Sequence, residues 1–317
     1  MSGTAQFPKE QSPGGAFERQ GDAFRQWVRA DGSSPYPAVT GRYHLYVSLA
    51  CPWAHRTVIV RKVRGLAGAI GMTVVDPFRE DDEGWAFREV PGASADPIEG
   101  FRTLREAYLA SDQAYDDRVT VPVLWDAVTH RIVSNSDDDI MRMFELEFDA
   151  VATIAYDFCP AALRAAIDEL NERIYVALND GVYQAGFATS QHAYETGARR
   201  VFAMLDELDM RLADRRYLFG DAPVETDVRL FVTLVRFDAV YYSHFKCNVR
   251  RITDYANLSG YLRDLYQWRG VGETVNFEHI KRHYYATHPE INPTRIVPIG
   301  PVLDLAAPHA RARLAAR

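Results

Sequence analysis

The sequence predicts a two-domain protein, in which a small α/β domain precedes an all-helical domain. Between about residues 41 and 150, short apolar runs typical of strands alternate with helical stretches. Beyond about residue 158, apolar residues recur at steps of three and four, which is the period of amphipathic helices. The chain has 317 residues, which is enough to bury two separate cores.

The α/β domain begins with a strand, a helix and a second strand. Residues 43–49 place apolar side chains on one face of a strand, and residues 53–64 follow as a helix with a proline in its first turn. Gly65 marks the end of that helix, and a second strand is expected near residues 72–75. The polar stretch 78–117 is broken by Gly and Pro and is too long for an ordinary connection, so we interpret it as a functional insertion.

Two further strands and a short helix complete this domain. Residues 119–125 and 131–133 predict strands joined by a turn, and apolar residues from Ile140 to Phe148 mark the helix. The predicted order is therefore β-α-β, the insertion, then β-β-α. The whole chain is expected to comprise four parts: an irregular N-terminal arm over 1–40, the α/β domain over 41–150, the helical domain over 158–290 and a tail over 291–317.

Four helices are predicted in the helical domain. Their apolar positions recur with helical spacing and are Leu163, Ile167, Leu170, Ile174 and Leu178, then Val201, Leu205, Leu208 and Leu212, then Val228, Phe231 and Val235, and finally Tyr261, Leu262 and Leu265. Thr226 or Asp227 is the expected N-cap of the third helix. Although the N-terminal arm is irregular, its aromatic residues Phe17, Phe24 and Trp27 predict that it packs against the rest of the protein.

Composition and charge narrow the function classes. Lys and Arg number 36 against 43 Asp and Glu, a formal net charge of −7, so nucleic acid is not an expected partner. No apolar run approaches the ~20 residues that span a bilayer, and the charged N-terminal residues do not resemble a secretory signal.

The three cysteines are too few and too scattered for a disulfide framework. His279, His283 and His288 lack the Cys or acidic residue that would complete a zinc site. We therefore expect a cytoplasmic protein with reduced thiols, no membrane partner and no metal.

The most informative residue is Cys51, which lies between the first strand and the first helix in the segment Cys51-Pro-Trp-Ala-His-Arg56. A thiol at a helix N-terminus meets unpaired backbone N–H groups and the positive end of the helix dipole. Both favour the thiolate and lower the thiol pKa, to about 3.5–7.5 in such sites. Arg56 is expected to add positive potential. A lone cysteine is more often buried and inert, but a strand–helix turn is an exposed position.

Pro122, preceded by Val121, interrupts the third predicted strand. In a thioredoxin-like arrangement, a proline at this point follows a cis peptide bond and lies beside the catalytic cysteine. The main chain of the preceding residue can then pair with a peptide-like thiol ligand. An X-Pro pair alone says little, because most such pairs are trans. Together with the Cys-Pro helix start upstream, it predicts a thioredoxin-like thiol site.

Further motifs extend over about residues 40 to 300. They lie in segments 46–56, 118–126, 181–188, 217–220, 236–248 and 279–294. In order and content, these segments resemble the glutathionyl-hydroquinone reductases, also called Xi-class glutathione transferases. The Cys-Pro-Trp-Ala-His-Arg motif and the C-terminal His283-Tyr-Tyr285 segment are the most specific. The resemblance implies the glutathione transferase fold, with a thioredoxin-like N-terminal domain and an all-α C-terminal domain, and a homodimer.

The resemblance also implies thiol-dependent reduction of S-glutathionyl-hydroquinones. Cys51 would attack the sulfur of the conjugate, expel the hydroquinone and hold glutathione as a mixed disulfide, and a second glutathione would release it as oxidised glutathione. Because Ala54 stands where a second Cys would resolve the intermediate, an external thiol is required. The implied co-substrate is glutathione, and the implied partners are small-molecule quinone and thiol conjugates.

Several other residues receive roles from the resemblance. Trp85 and Arg118 would hold the thiol, and the Arg118 guanidinium suits a carboxylate because it binds bidentately. Tyr183, Tyr284 and Tyr285 would be catalytic groups that donate hydrogen bonds to the leaving phenolate. From the residues alone, Trp85 is more simply interpreted as a hydrophobic plug and Arg118 as a surface charge. Each tyrosine is more simply a packed side chain with its hydroxyl at the surface.

Two positions depart from the family pattern. Where the family has Glu-Ser before the third helix of its thioredoxin domain, this chain has Ser136-Asp137, followed by Asp138 and Asp139. Ser136 and Asp137 are expected to cap the helix and contact the thiol. The three carboxylates would repel the carboxylate of a γ-glutamyl group unless a cation intervenes, so restoring Glu-Ser is expected to improve turnover with glutathione. Cys159 replaces a family tyrosine.

Three alternative functions stay open. A mycothiol-dependent enzyme would use a thiol with a sugar-based head in place of glutathione. An omega-like deglutathionylase or dehydroascorbate reductase would keep Cys51 but act on other substrates. A non-catalytic binding protein with the transferase fold is the third, and the intact Cys51 argues against it because binding alone needs no activated thiolate.

Overall fold

A computed structural model describes residues 5–80 and 84–314. The described residues divide into two units. The first, here called the helical unit, comprises residues 5–20, 157–272 and 284–314. The second, the sheet unit, comprises residues 21–80, 84–156 and 273–283. No helix within these residues is both long enough and apolar enough to cross a bilayer.

The sheet unit has the element order βαβαββα. In chain order, its elements are β1 (Tyr43–Val47), α1 (Pro52–Val63), β2 (Ile70–Val74), α2 (Leu104–Ser111), β3 (Val123–Asp126), β4 (Arg131–Ser134) and α3 (Asp137–Leu146). The strands are arranged β2-β1-β3-β4, with β1 parallel to β2 and with β3 antiparallel to both β1 and β4. This is a thioredoxin-like domain, and it confirms the predicted α/β fold class.

The stretch 78–117 is more than an insertion, because it contains α2. The Glu106 carboxylate reaches back over the first turn and accepts hydrogen bonds from the N–H groups of Arg102 and Thr103, both at 2.9 Å. This is the acidic half of a capping box, and the Thr-x-x-Glu pattern for it is present in the sequence. Eight residues are too few to show a clear period among Gly and Pro residues, so the apolar pattern does not predict this helix.

Helix α1 ends as its sequence predicts. Gly65 has a φ of 63°, in the left-handed region that a residue with a side chain rarely adopts. A Cβ at this position would lie only 2.0 Å from Oγ1 of Thr153. The glycine is therefore required both by the backbone conformation and by the close approach of a neighbouring segment.

The N-terminal arm is divided between the two units, and each part packs within its own unit. In the sheet unit, the arm runs along β4, where Gln26 donates to the Val133 oxygen at 2.9 Å and Asn135 donates to the Phe24 oxygen at 3.0 Å. In the helical unit, the rings of Phe17 and Phe187 have centroids 5.2 Å apart. These contacts confirm the prediction that the arm is held in place.

The helical unit confirms the four predicted helices and adds others. Its elements are α4 (Arg164–Ile174), a π turn (Tyr175–Asn179), α5 (Gly181–Gly186), α6 (Gln191–Arg211), α7 (Glu225–Arg236), a second π turn (Phe237–Tyr241) and α8 (Leu258–Gln267). Helix α9 (Phe277–Thr287) contributes residues 277–283 to the sheet unit and residues 284–287 to the helical unit.

The start of α7 differs from the prediction. The N-cap is Val224, not Thr226 or Asp227. The Asp227 carboxylate lies one turn inside the helix and reaches back to accept a hydrogen bond from the Val224 N–H at 2.8 Å. It also accepts one from the Tyr261 hydroxyl at 2.6 Å. Because an acidic residue at the third helical position satisfies the N-cap N–H in this way, its sequence signal resembles that of an N-cap.

Candidate functional site

Three segments of the sheet unit meet at one edge of the sheet. Strands β1 and β4 run in the same direction because each is antiparallel to β3. The carboxyl ends of β1 and β4 and the amino end of β3 therefore lie at the same edge. Cys51 follows β1, Pro122 precedes β3 and Ser136 follows β4. The topology thus brings the predicted nucleophile together with predicted thiol-binding residues.

Cys51 is the N-cap residue of α1 and is half-buried. Its thiol donates a hydrogen bond to the main-chain oxygen of Val121, with Sγ and the oxygen 3.6 Å apart. The Val121–Pro122 peptide bond is cis, as expected. Because the first N–H groups of a helix have no acceptor within that helix, the start of α1 can stabilise a thiolate at Cys51.

Arg56 has a different role from the one that the sequence suggests. Its side chain is fully buried and pairs with Asp137 at 2.7 Å and with Asp138 at 3.1 Å, measured between nitrogen and oxygen. Two carboxylates thus offset the guanidinium charge that was expected to favour the thiolate of Cys51. The start of α1 is then the main feature of this edge that can favour a thiolate at Cys51.

Ser136 and Asp137 stand at the start of α3. Ser136 is the N-cap, and its Oγ accepts a hydrogen bond from the Asp139 N–H at 3.4 Å. The Asp139 carboxylate accepts hydrogen bonds from Nε and Nη2 of Arg25 at 2.7 and 2.8 Å. Since Asp137 and Asp138 pair with Arg56, each of the three acidic residues has a cationic partner. Ser136 caps the helix as predicted, and cations accompany the three carboxylates, which is the condition under which repulsion of a γ-glutamyl carboxylate was not expected.

A fourth carboxylate, Asp22 from the N-terminal arm, lies at the same helix start. Desolvation raises the pKa of Asp22 above its ordinary value, and the charges of Asp138 and Asp139 act in the same direction, whereas a hydrogen bond with Ser136 and the charge of Arg25 lower it. The sequence does not point to Asp22, because an irregular arm has no period from which its pairing with β4 could be predicted.

The two residues that the resemblance assigns to thiol binding also belong to the sheet unit. Trp85 is 5% exposed, and its indole stacks on the imidazole of His283 with ring centroids 4.9 Å apart. Arg118 is half-buried, and its main-chain oxygen accepts a hydrogen bond from the Tyr115 hydroxyl at 2.8 Å. Their contact with a thiol stays a prediction.

The predicted catalytic tyrosines belong to the helical unit, where they share hydrogen bonds. The hydroxyl oxygens of Tyr183 and Tyr284 are 2.5 Å apart, and the Tyr285 hydroxyl bonds with that of Ser243. Burial raises the pKa of Tyr284 far above its ordinary value, and the neighbouring phenols of Tyr183 and Tyr241 raise it further. Burial also raises the pKa of Tyr285. These phenols therefore keep their protons near neutral pH and are suited to donate hydrogen bonds.

Tyr241 also belongs to this cluster, although the sequence pattern does not indicate it. It is fully buried, and its hydroxyl oxygen lies 3.1 Å from that of Tyr284. It ends the π turn Phe237–Tyr241, and a second π turn, Tyr175–Asn179, precedes Tyr183. One extra residue in a turn shifts the helical phase by about 100°, so an analysis based on the α-helical period misplaces the residues that follow.

The other two cysteines are buried in the helical unit. Cys159 is 1% exposed and Cys247 is fully buried. Burial raises the pKa of the Cys247 thiol to about 12, which keeps it protonated and unreactive. Cys51 is therefore more accessible than either.

Comparison with known proteins agrees with this geometry. Residues 191–264 match the family model described as "Glutathione S-transferase, C-terminal domain". The glutathionyl-hydroquinone reductase YqjG of Escherichia coli strain K12 is 52% identical over 308 residues, which cover 95% of this chain and 93% of that protein.

Two solved structures are similar over nearly the full length. The glutathione-bound structure of YqjG from Escherichia coli K-12 has a TM-score of 0.88 and 51% identity, and the match covers 91% of this chain and 96% of that one. A Xi-class glutathione transferase from Natrialba magadii has a TM-score of 0.92 and 49% identity, with 95% of this chain and 94% of that one covered.

Proposed function

Because the chain belongs to the glutathionyl-hydroquinone reductases, the Xi class of glutathione transferases, we propose that it reduces S-glutathionyl-hydroquinones to free hydroquinones with glutathione as co-substrate. The observation that carries the proposal is the half-buried Cys51 thiol at the start of α1, 3.6 Å from the Val121 oxygen. That placement supports a nucleophilic thiolate.

The proposed reaction has two thiol-exchange steps. The Cys51 thiolate attacks the sulfur of the conjugate, so that a disulfide bond forms between Cys51 and glutathione as the bond from sulfur to the aromatic carbon breaks. The electron pair of that bond goes to the ring, which takes up a proton and leaves as the hydroquinone. The thiolate of a second glutathione then attacks the mixed disulfide, releasing oxidised glutathione and the Cys51 thiolate.

Several residues of the sheet unit are proposed to hold the thiol. The main chain of Val121, next to Pro122, would pair with the peptide-like backbone of glutathione, as a short antiparallel ladder. Trp85 would contact the thiol through its indole, and Arg118 would bind a glutathione carboxylate.

The amino-acid end of glutathione is proposed to bind at the start of α3. Ser136 offers a hydroxyl and Asp137 follows it in the first turn, so that this helix start presents a hydrogen-bonding group and a negative charge. Asp22, beside Ser136, supplies a negative charge for the ammonium group. These groups support glutathione over a thiol with a sugar-based head.

The tyrosines are proposed to act on the leaving group. Tyr183, Tyr284 and Tyr285 would donate hydrogen bonds to the phenolate oxygens as negative charge develops on the ring. The raised pKa values of Tyr284 and Tyr285 support this role, because only a protonated phenol can donate. We further propose a cytoplasmic homodimer, whose mass would be measured by light scattering.

The proposal is tested with three cysteine variants. Cys51→Ser should abolish turnover of an S-glutathionyl-hydroquinone, whereas Cys159→Ser and Cys247→Ser should retain it, because both of these thiols are buried. Intact mass spectrometry of the wild type after one turnover without free glutathione should show one added glutathione, and Cys51→Ser should show none.

Other outcomes favour other functions. A wild-type protein that binds glutathione without turnover would be a binding protein, and one that forms an adduct only with mycothiol conjugates would be a mycothiol-dependent enzyme. Loss of turnover in Cys159→Ser would make that residue a resolving thiol and would overturn the single-cysteine mechanism.

A further inference from the structure

Two histidines of α9 contact the chain on either side of Trp85, at Pro77 and at Pro91, which are here called the two ends of the Trp85 segment. His279 Nε2 lies 2.7 Å from the main-chain oxygen of Pro91, and His283 Nδ1 lies 2.9 Å from that of Pro77. Both imidazoles are buried. Residues four apart lie on one face of a helix, so a single face of α9 is tied to both ends of this segment.

The contact at Pro91 is close enough to exclude a side chain at the next position. Gly92 has a φ of 82°, and a Cβ there would lie 2.7 Å from Nε2 of His279. Glycine is therefore needed both for the backbone conformation and for the approach of the imidazole. This end of the segment is tightly packed on α9.

At the other end, His283 also stacks on Trp85. A carbonyl oxygen can only accept a hydrogen bond, so Nδ1 of His283 carries the proton in its bond with Pro77. The hydrogen bond from Nδ1 to Pro77 and the attachment of the side chain to α9 together fix the plane of the imidazole. The indole lies against that plane, with ring centroids 4.9 Å apart and an angle of 24° between the rings. Trp85 therefore takes its orientation from a ring that is itself fixed.

We propose that His283 is a positioning residue of the thiol site, which sets the plane of the Trp85 indole and thereby the affinity for the thiol. The inference rests on the proposed function, in which Trp85 contacts glutathione. His283 takes no part in the chemistry, so its loss should act on thiol binding and not on bond breaking. A stacked aromatic pair contributes enough for about a three- to tenfold effect on affinity.

The first test compares two substitutions of His283 with a matched control. His283→Leu loses both the stack and the hydrogen bond, and should raise KM for glutathione about three- to tenfold while kcat changes by less than about twofold. His283→Phe keeps a flat ring and should raise KM less. His279→Leu removes a carbonyl bond on the same helix face without the stack, and should raise KM less than His283→Leu does.

The second test asks whether the effect passes through Trp85. In a Trp85→Leu background, His283→Leu should add nothing to KM, since the aromatic ring that it positions is gone. The near-ultraviolet circular dichroism of Trp85, obtained as the difference between wild type and Trp85→Phe, should change in His283→Leu. Additive effects on KM, an unchanged Trp85 signal, or an equal rise of KM in His279→Leu would each overturn the proposal.

These readouts separate the inference from the function on which it rests. A wild-type protein without turnover of S-glutathionyl-hydroquinones would refute the proposed function. The Trp85 signal needs no turnover, so it would still decide whether His283 sets the indole plane.

Discussion

Replacing Ser136 and Asp137 with the Glu-Ser pair of the family should destabilise this protein and should not improve its use of glutathione. Asp137 is the nearer of the two carboxylates on the fully buried Arg56, at 2.7 Å against 3.1 Å for Asp138. The substitution Asp137→Ser leaves that guanidinium with one carboxylate fewer. The substitution Ser136→Glu removes the N-cap oxygen of α3 and places a new charge beside Asp22.

The expected loss follows from these two contacts. Removing a Ser N-cap costs about 1 kcal/mol. Removing a hydrogen bond to a buried charged group costs about 1.5–3 kcal/mol, and the remaining bond from Arg56 to Asp138 favours the lower part of that range. The double variant should therefore lose about 3 kcal/mol of unfolding free energy, which corresponds to a fall in Tm of about 6–12 °C.

Thermal unfolding followed by circular dichroism and KM for glutathione would be measured on the same preparations. Asp138→Ser is the matched control, because it removes the longer and more exposed contact with the same guanidinium and should lower Tm less. An unchanged Tm together with a lower KM in the double variant would refute this reasoning, and would restore the interpretation that the acidic cluster repels glutathione.

Three further predictions concern single groups. Alkylation of Cys51 by iodoacetamide, followed against pH, should have a midpoint well below 8.5, the value of an unperturbed thiol, and a midpoint near 8.5 would contradict a role for the start of α1. Burial raises the pKa of Asp227 to about 6. Deprotonation then costs more in the folded state than in the unfolded one, so this group's share of the unfolding free energy should fall by about 3 kcal/mol as pH rises from about 3 to about 7, with about 2 kcal/mol of the fall between pH 4 and 6. Asp227→Asn should remove that slope in urea unfolding, and an identical slope in both proteins would count against the shift. Tyr284→Phe should slow single-turnover release of the hydroquinone about tenfold to a hundredfold, and the loss should grow as the leaving phenol becomes less acidic, whereas equal losses across a series of phenols would argue against hydrogen bonding to the leaving group.

Most of the fold could be predicted because its signals are local. The Cys-Pro start of α1 and the glycine after its end each depend on a few neighbouring residues, and both lie where they were expected. Helix α2 was missed because its eight residues are too short for a period. The two π turns could not be predicted, because a single extra residue in a turn leaves no mark in an apolar pattern with a 3.6-residue period.

The residues of the candidate site also divide into those with local sequence signals and those whose partners are distant in the chain. Cys51 and Pro122 could be found because their chemistry depends on the adjacent helix and strand. The partners of Arg56 lie 81 and 82 positions away in the chain, and Asp22 lies more than a hundred positions from Ser136. Such pairings arise from the register of the sheet and of the N-terminal arm, which composition and periodicity do not specify.

The field at Cys51 follows from how these charges are distributed. Asp137 and Asp138 stand in the first turn of α3, where the helix dipole favours carboxylates, and they also neutralise Arg56 in the first turns of α1. The start of α3 is thus occupied by its own acidic residues, whereas the start of α1 has none in its first turn. Of the two helix starts at this edge of the sheet, only that of α1 has no acidic residue in its first turn to offset the positive end of the helix dipole. Helix α1 is also the helix that begins at the cysteine.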